Sequence, residues 1–505
     1  MAWTRRVRIT ETEPNPEHIT GAFQARHFWM AMVLPVLYGL LLSPIAALNV
    51  RYAGGRATFD QVLFHEHTID AMVPTWPVFH LTYPDHFIAM TPGFHWVLAG
   101  VVRLTGMGDP GLRLVALALS VAIFAGLGFL LGRRCGAVLG SVLVAPIMAS
   151  VYVTNSSAWM LADNAGWMWV YLLALAALLC PPRGMWAIVL GAGLLLAVWT
   201  RQNLLYLAAP LWVAAWLREV PSDPACGKPW VGVSGRTRNL APMALATLPA
   251  IASLVYLYRV WGGLVPPEFQ GQYDGANPSN LALQLVMLGG LSVFFLPAML
   301  GVGEEGWRGR CKGTLRRAMP WMIASGVVAA LVVALVPTTP APKAGRAGLV
   351  WSAADKLNVL GPIGECNPLI VVVAAVGAGL LVVILACVRA RERWILGSLF
   401  AGFGIAQGAS SEVWQRYHEP FALLFLAIAT TVAVSSRGAT PRRTSKAQLV
   451  PIVVLAVGMA ATTAAVLWQR EISHWRQGKN QTPVSSLLPE PPAESPATLD
   501  PTLPE

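Results

Sequence analysis

Apolar runs recur through this sequence near 28–50, 112–132, 135–153, 164–180, 185–199, 203–217, 240–261, 281–301, 319–337, 369–388, 394–409, 420–434 and 449–468, mostly parted by short polar connections. A helix needs roughly 20 mainly apolar residues, at about 1.5 Å of rise each, to cross a bilayer. The runs therefore predict an all-α, polytopic membrane protein of about 13 transmembrane helices. Helices that are apolar on every side belong in lipid, not in a soluble amphipathic layer. Composition agrees: 12% of residues are charged and 55% hydrophobic, with a mean hydropathy of +0.56, where a soluble domain is about 25% charged. An ordinary soluble enzyme is excluded.

The net charge of +11 comes from 36 Lys plus Arg against 25 Asp plus Glu. In a polytopic chain that excess marks cytoplasmic loops, so it is no argument for a nucleic-acid partner. Arg218/Lys228/Arg236/Arg238, Arg308/Arg310/Lys312/Arg316/Arg317, Arg389/Arg391/Arg393 and Arg437/Arg442/Arg443/Lys446 fall on alternate connections, which places 262–280, 337–368 and 410–419 outside. Running the alternation backwards puts 154–163 and 200–202 outside, with Arg133/Arg134 and Arg183 inside. A basic N-terminus (Arg5, Arg6, Arg8) is then inside only if 88–132 crosses once. The further apolar stretch 88–105 is accordingly expected to lie at the outer interface or to re-enter. The chain divides into a cytoplasmic tail (1–27), a first transmembrane module with a long external loop at 51–92 (28–218), a second module (219–480) and a Pro-rich tail (481–505) expected to be disordered and external. Cys135, Cys180, Cys226, Cys311, Cys366 and Cys387 stand singly, suggesting neither a zinc site nor a disulfide framework. No cleavable signal peptide is expected, since the first apolar run is not followed by a small-residue cleavage site.

Long loops in a chain of short connections are usually functional. The one at 51–92 holds Asp60, His65, Glu66, His67, Asp70, Trp76, His80, Asp85 and His86. For any one of these the plainer reading is a polar cap over helix ends; for the loop as a whole a functional role is favoured. Its order runs F-D-Q-V-L-F-H (Phe59 to His65), Y-P-D-H (Tyr83 to His86) and T-P-G-F-H (Thr91 to His95).

That order resembles the first luminal loop of the eukaryotic alpha-1,2-glucosyltransferases that add the terminal glucose to the dolichol-linked oligosaccharide, where D-E-x-F-H precedes W-D-P and T-x-P-G. Gln61 stands here for the second acid, one extra residue separates Asp60 from Phe64, and Tyr83-Pro84 replaces Trp before Asp85. Downstream, W-T-R-Q-N (Trp199 to Asn203) is similar to that family's R-Q-T-N, and L-A-D-N (Leu161 to Asn164) sits where it has an aromatic-T-D motif. E-V-W-Q-R-Y-H-E-P (Glu412 to Pro420) resembles the R-Y-x-x-P turn of GT-C membrane glycosyltransferases in general. The matches cover most of 30–420 in order, in pieces of three to seven residues.

The resemblance implies a GT-C-like fold whose first module, 28–218, is catalytic. It implies transfer of a hexose, glucose or mannose, from a polyprenyl-phosphate donor to a lipid-linked or other glycan acceptor at the outer or luminal face, with inversion. The acceptor hydroxyl needs a carboxylate base, worth roughly 10²–10⁴ in rate; Asp60 is the first candidate and Asp85 the second. The leaving lipid phosphate needs charge compensation, which the planar fork of arginine supplies. Arg201 and Arg416 fall on the outer side against the positive-inside bias, at a cost that suggests a role. Their plainer readings are snorkelling for Arg201 and a salt bridge to Glu412 or Glu419 for Arg416. His65, His95, Trp76, Asp163, Gln202 and Asn203 are candidate substrate-binding residues, with Asp163 equally readable as a helix-end polar residue. No cofactor is expected: a divalent metal at His65, His67, His80, His86 and His95 is disfavoured, because H-E-H lacks zincin spacing. Most tryptophans, among them Trp29, Trp76, Trp96, Trp212, Trp216 and Trp261, read as an interfacial belt in contact with membrane lipids. A transporter or lipid-linked glycan flippase remains the alternative, predicting two related halves and broken helices near the midplane; no internal repeat is visible. A polysaccharide polymerase or ligase would rest on the 337–368 loop with Lys343, Arg346 and Lys356. The membrane itself, bacterial or endoplasmic, is left open, as are the sugar and linkage.

Overall fold

A computed structural model describes residues 21–48, 56–180, 184–218, 233–273, 275–341, 346, 348–437 and 444–477. The N-terminal basic cluster, Arg183, Cys226, Lys228, Lys343, Arg442, Arg443 and the Pro-rich tail lie outside the described residues, as do the first few residues of the 51–92 loop.

α1 (Gly21–Ala47) leads to α2 (Arg56–Asp60), a π-helical turn (Gln61–Glu66), α3 (His67–Met72) and α4 (Gly93–Thr105). Then come α5 (Asp109–Cys135), α6 (Ala137–Ala149), α7 (Val151–Ala158), α8 (Asp163–Leu179), α9 (Met185–Thr200), a 3-10 segment (Gln202–Leu207) and α10 (Ala208–Trp216). The rest is α11 (Val233–Trp261), α12 (Pro267–Tyr273), α13 (Ser279–Leu300), α14 (Trp307–Ala334), α15 (Leu349–Leu357), α16 (Pro368–Ala386), α17 (Ala390–Gly408), α18 (Gln415–Ser435) and α19 (Lys446–Gln477). Among the described residues the only strand-like features are two isolated bridges, Ala341 with Arg346 and Ile363 with Cys366.

Each apolar run falls on a helix, but the helices are unequal. Among the described residues eight helices are long and apolar enough to cross a membrane: α1, α5, α11, α13, α14, α16, α18 and α19. α6 and α7, bent by 78° at Ser150, make a ninth if they are one span. Four of the 13 expected spans fall short of that standard. α8 and α9 have 17 and 16 residues, α17 opens with Arg391, Glu392 and Arg393, and the run 203–217 is split between the 3-10 segment and the nine-residue α10.

α18 is the axis of the bundle. Nearly every residue from Gln415 to Ala433 is buried, whereas α14 and α19 turn much of their apolar surface outward, as lipid-facing helices do. Where helices cross closely the sequence has glycine: a Cβ on Gly377 of α16 would collide with the Leu285 carbonyl of α13. Such small-residue contacts let helix backbones approach where burial of apolar surface drives nothing.

The bundle has a basic end and a polar end. At the basic end Arg437 donates to the carbonyls of Met299 and Ala298 at 2.7 and 2.9 Å, and Arg391 to those of Leu178 and Ala177 at 2.8 and 3.0 Å. These guanidiniums satisfy carbonyls that a helix C-terminus leaves open. The polar end gathers the 56–92 segment, α4, the starts of α8, α13 and α18, and the ends of α9 and α17; Asn280 there donates to the carbonyls of Ser410 and Glu412.

α5 begins at the polar end, where Leu112 and Ala116 pack with Ile69, Met72, Leu98, Ala99 and Met160, and finishes at the basic end, where Ser435 bonds to the Arg134 carbonyl. The chain from 88 to 132 thus traverses the bundle once. α4 packs on α3 and the first turns of α5, and ends on Gly106 at φ 69° with Leu104 three-quarters exposed.

Candidate functional site

Two carboxylate–arginine pairs sit at the polar end, each joining segments remote in sequence. Asp60 closes α2, and its Oδ2 accepts from Nη1 of Arg416, the second residue of α18, at 2.9 Å. Asp163 opens α8 and pairs with Arg201, the first residue beyond α9, in extended backbone. Tyr417 stands between the pairs. The Arg201 guanidinium lies 4.7 Å and that of Arg416 4.9 Å from its ring centre, and Arg416 Nη2 donates to its hydroxyl at 2.6 Å. Trp414 backs Arg416 from 4.2 Å. Both arginines are therefore held on aromatic faces as well as by carboxylates, which fixes two long side chains in one geometry.

The local backbone serves this placement. Asp163 follows a tight reversal at Trp159–Ala162, where Met160 has φ 52°. A non-glycine residue there costs on the order of 1–3 kcal/mol, the kind of strain found at functional sites. Arg113, fully buried on α5, braces the reversal through a 3.0 Å bond to the Ala158 carbonyl. Asn164 donates to Ser120, Ser157 and the Val153 carbonyl, pinning the start of α8. On the opposite side, Glu419 accepts from Ser150 at 2.6 Å and Gln415 at 2.8 Å, while Gln415 accepts from the Val350 amide at 3.0 Å. The first turn of α18 is thereby tied to α7 and α15.

A cavity of about 530 Å³ runs from the arginines. Arg201, Gln202, Asn203, Arg416 and Tyr417 form its polar head, and Ala208, Ala209 and Trp212 of α10, Ile251 and Leu254 of α11 and Gly402, Ile405 and Ala406 of α17 its apolar body. α10 is the floor, packed on both α11 and α17. Ile405 is 75% exposed and Trp212 36%, so the apolar body reaches the lipid-facing surface. Gln202 also holds the head in place, accepting from the Thr91 amide and donating to the carbonyls of Ala89 and Leu264.

Beside the pairs, His65 of the π-helical turn and His95 of α4 are both buried, their ring planes within 19° of each other, centres 4.8 Å apart, and joined edge to edge from Nδ1 to Nε2 at 2.6 Å. Burial draws His65 down to about 4, offset in part by the charge of Asp60. Burial, then the neighbouring His65, takes His95 well below its ordinary value. His86, flat against Trp261, is likewise drawn down to about 4 by burial.

The structure thus brings together Asp60, Asp163, Arg201, Gln202, Asn203, Arg416 and, next to them, His65 and His95. It does not bring Asp85 there: that carboxylate is half-exposed, 3.2 Å from His80, whose other ring nitrogen meets Thr75 at 2.6 Å. Trp76 packs against Trp96 and the Gly100 backbone within the α3–α4 cluster. Two plainer readings fail on geometry. Arg416 takes Asp60 as its carboxylate rather than Glu412 or Glu419, and Arg201 is paired and largely buried instead of snorkelling. Trp261 is 2% exposed and donates to the Leu81 carbonyl, so it locks the loop and does not belong to an interfacial belt. Among the described residues no group of three His, Cys, Asp or Glu is placed to hold a metal ion.

Tyr417 and Trp414, given no role by the motif reading although Tyr417 is the tyrosine of R-Y-x-x-P, belong to the site, as do Tyr206 and Gln407, which the motifs left unmarked. The first two stand in the same nine-residue run as Arg416, and an aromatic on either side of an exceptional arginine was the available signal. No family model matches the chain, and no curated protein matches it.

Proposed function

We propose that the protein is a GT-C-type membrane glycosyltransferase with about 13 spans, the short or charged helices α8, α9, α10 and α17 crossing in the shelter of the longer ones. It moves a hexose, glucose or mannose, from a polyprenyl-phosphate donor to a lipid-linked or other glycan acceptor at the outer face, with inversion. The observation that carries this reading is the cavity: apolar and reaching lipid at one side, closed by Arg201 and Arg416 at the other. A polyprenyl phosphate has that same polarity, an anion on an apolar tail.

The chemistry follows from the two ion pairs. A phosphate oxygen at Arg416 competes with Asp60 for the same guanidinium, and the bidentate fork lets Arg201 and Arg416 share the charge of the leaving group. Asp60, released from part of its pairing, takes the proton of the acceptor hydroxyl as that oxygen bonds to the anomeric carbon. The bond from that carbon to the phosphate oxygen breaks, and the lipid phosphate keeps the electron pair. Asp163 holds Arg201 in register. A single base suffices for inversion, and Asp85, off the pairs, has no part in it.

The test is transfer in lipid nanodiscs from polyprenyl-phosphate-glucose and polyprenyl-phosphate-mannose. The Asp60→Asn variant should lose about 10²–10⁴ in kcat while still binding donor. Full activity in that variant removes Asp60 as base, and use of nucleotide sugars alone removes the assignment. A flippase, the second reading, would move labelled lipid between leaflets with no new glycosidic product.

A further inference from the structure

The His65–His95 pair fixes more than a contact. A neutral imidazole carries one N–H and one lone pair, so two of them sharing one hydrogen bond can place their protons in two ways. Either His65 Nδ1 donates to His95 Nε2, with the proton of His95 on its Nδ1, or His95 Nε2 donates to His65 Nδ1, with the proton of His65 on its Nε2. The arrangements differ at His65 Nε2, which is not sealed from solvent, and at His95 Nδ1, which is sealed and has no hydrogen-bond partner among the described residues. The first would bury a bare N–H at that atom, the second only a lone pair. A buried N–H without an acceptor is the rarer defect, and the desolvation it leaves unpaid is of order 1–3 kcal/mol. The second arrangement prevails.

The ring of His65 is 4% exposed and lies where the charges of Asp60, Asp163, Arg416 and Arg201 all act on it. Its Nε2 is on the edge opposite the bond to His95. We infer that His95 is a positioning residue that locks His65 as the Nε2–H tautomer, making His65 a neutral hydrogen-bond donor to an oxygen of the hexosyl phosphate. The ligand rests on the transferase reading; the tautomer does not. The assignment is consistent with Asp60 as the base, since a ring protonated at Nε2 has no lone pair there to take a proton.

Magic-angle-spinning NMR of protein labelled with ¹⁵N-histidine, in lipid bilayers at pH 7, reads the tautomers directly, with His65→Gln and His95→Gln assigning the signals. Protonated Nε2 and bare Nδ1 are expected at both residues; a proton on Nδ1 of either overturns the lock. The donor role is tested on transfer from polyprenyl-phosphate-mannose and polyprenyl-phosphate-glucose. Gln places an amide nitrogen near the Nε2 position and Asn near Nδ1, so His65→Gln should stay within about tenfold of the parent while His65→Asn and His65→Phe lose about 10²-fold in kcat, the scale of a lost transition-state donor. Equal losses in the Gln and Asn variants overturn it. If the NMR result holds and the parent transfers no hexose, the transferase reading fails and the tautomer assignment stands.

Discussion

At the scale of single residues, Asp163 and Arg201 have to be understood as one object. Taking two charges out of water costs several kcal/mol per ion, and only mutual pairing offsets it. Asp163→Ala should therefore destabilise by about 3–5 kcal/mol through the uncompensated arginine, whereas Asp163→Leu with Arg201→Met should recover most of that and still lack transfer. Thermal unfolding in detergent, read beside the nanodisc assay, separates the two. Histidine makes the complementary case. His65 and His86, near 4 in the native fold, and His95, held well below its ordinary value, return to about 6.5 when unfolded. Between those values the unfolded chain binds more protons than the native one, so stability rises with pH through the window and is lost as pH falls from 6.5 towards 4. The unfolding temperature should drop by several degrees from pH 7 to pH 5, and His86→Phe, which keeps the ring against Trp261, should flatten part of that slope. Sequence alone marked Asp60, Asp85, Asp163, Arg201 and Arg416 as charges outside the bulk trend, and the structure leaves Asp85 with His80, away from the arginines. Sequence could not pair them: Asp60 and Arg416 are 356 residues apart, and only the fold decides which carboxylate an arginine meets.

At the scale of elements, α10 matters out of proportion to its nine residues. Ala208 and Ala209, small residues lining the cavity, leave the volume that it occupies. Ala209→Trp should fill that volume, raising KM for a long-chain polyprenyl-phosphate hexose at least tenfold while a donor with a single isoprenoid unit is spared. An equal effect on both donors would mean that the chain lies elsewhere. The apolar runs located every span-sized helix among the described residues but could not grade them, because hydropathy counts residues and not the neighbours that shelter them. α17 shows the difference. Its Arg391 reads as a charge that shortens a span, yet the guanidinium is spent on the carbonyls at the end of α8. The stretch 88–105 was ambiguous for the opposite reason: its apolar residues suit lipid and a small local core equally, and the partners on α3 and α5 that decide for the core come from other parts of the chain.

At the scale of the molecule, everything assigned to the site lies at one end of the bundle, and the described basic loops lie at the other. In a background lacking all six cysteines, Val359→Cys, 97% exposed at the polar end, should react with a membrane-impermeant maleimide on intact cells. Arg308→Cys, exposed at the basic end, should react only after permeabilisation; the reverse pattern would invert the topology and place the site in the cytoplasm. The arginines of the basic end carry a further consequence. Arg391 and Arg437 belong to the basic loops that the positive-inside trend would use to orient the chain during insertion, and the same guanidiniums clamp the carbonyls of Ala177, Leu178, Ala298 and Met299. Orientation and cohesion are thus encoded in the same atoms. An engineer who moved these charges to flip the protein in its membrane would also unfasten the helices, and the inverted product would arrive without the clasps that hold it together.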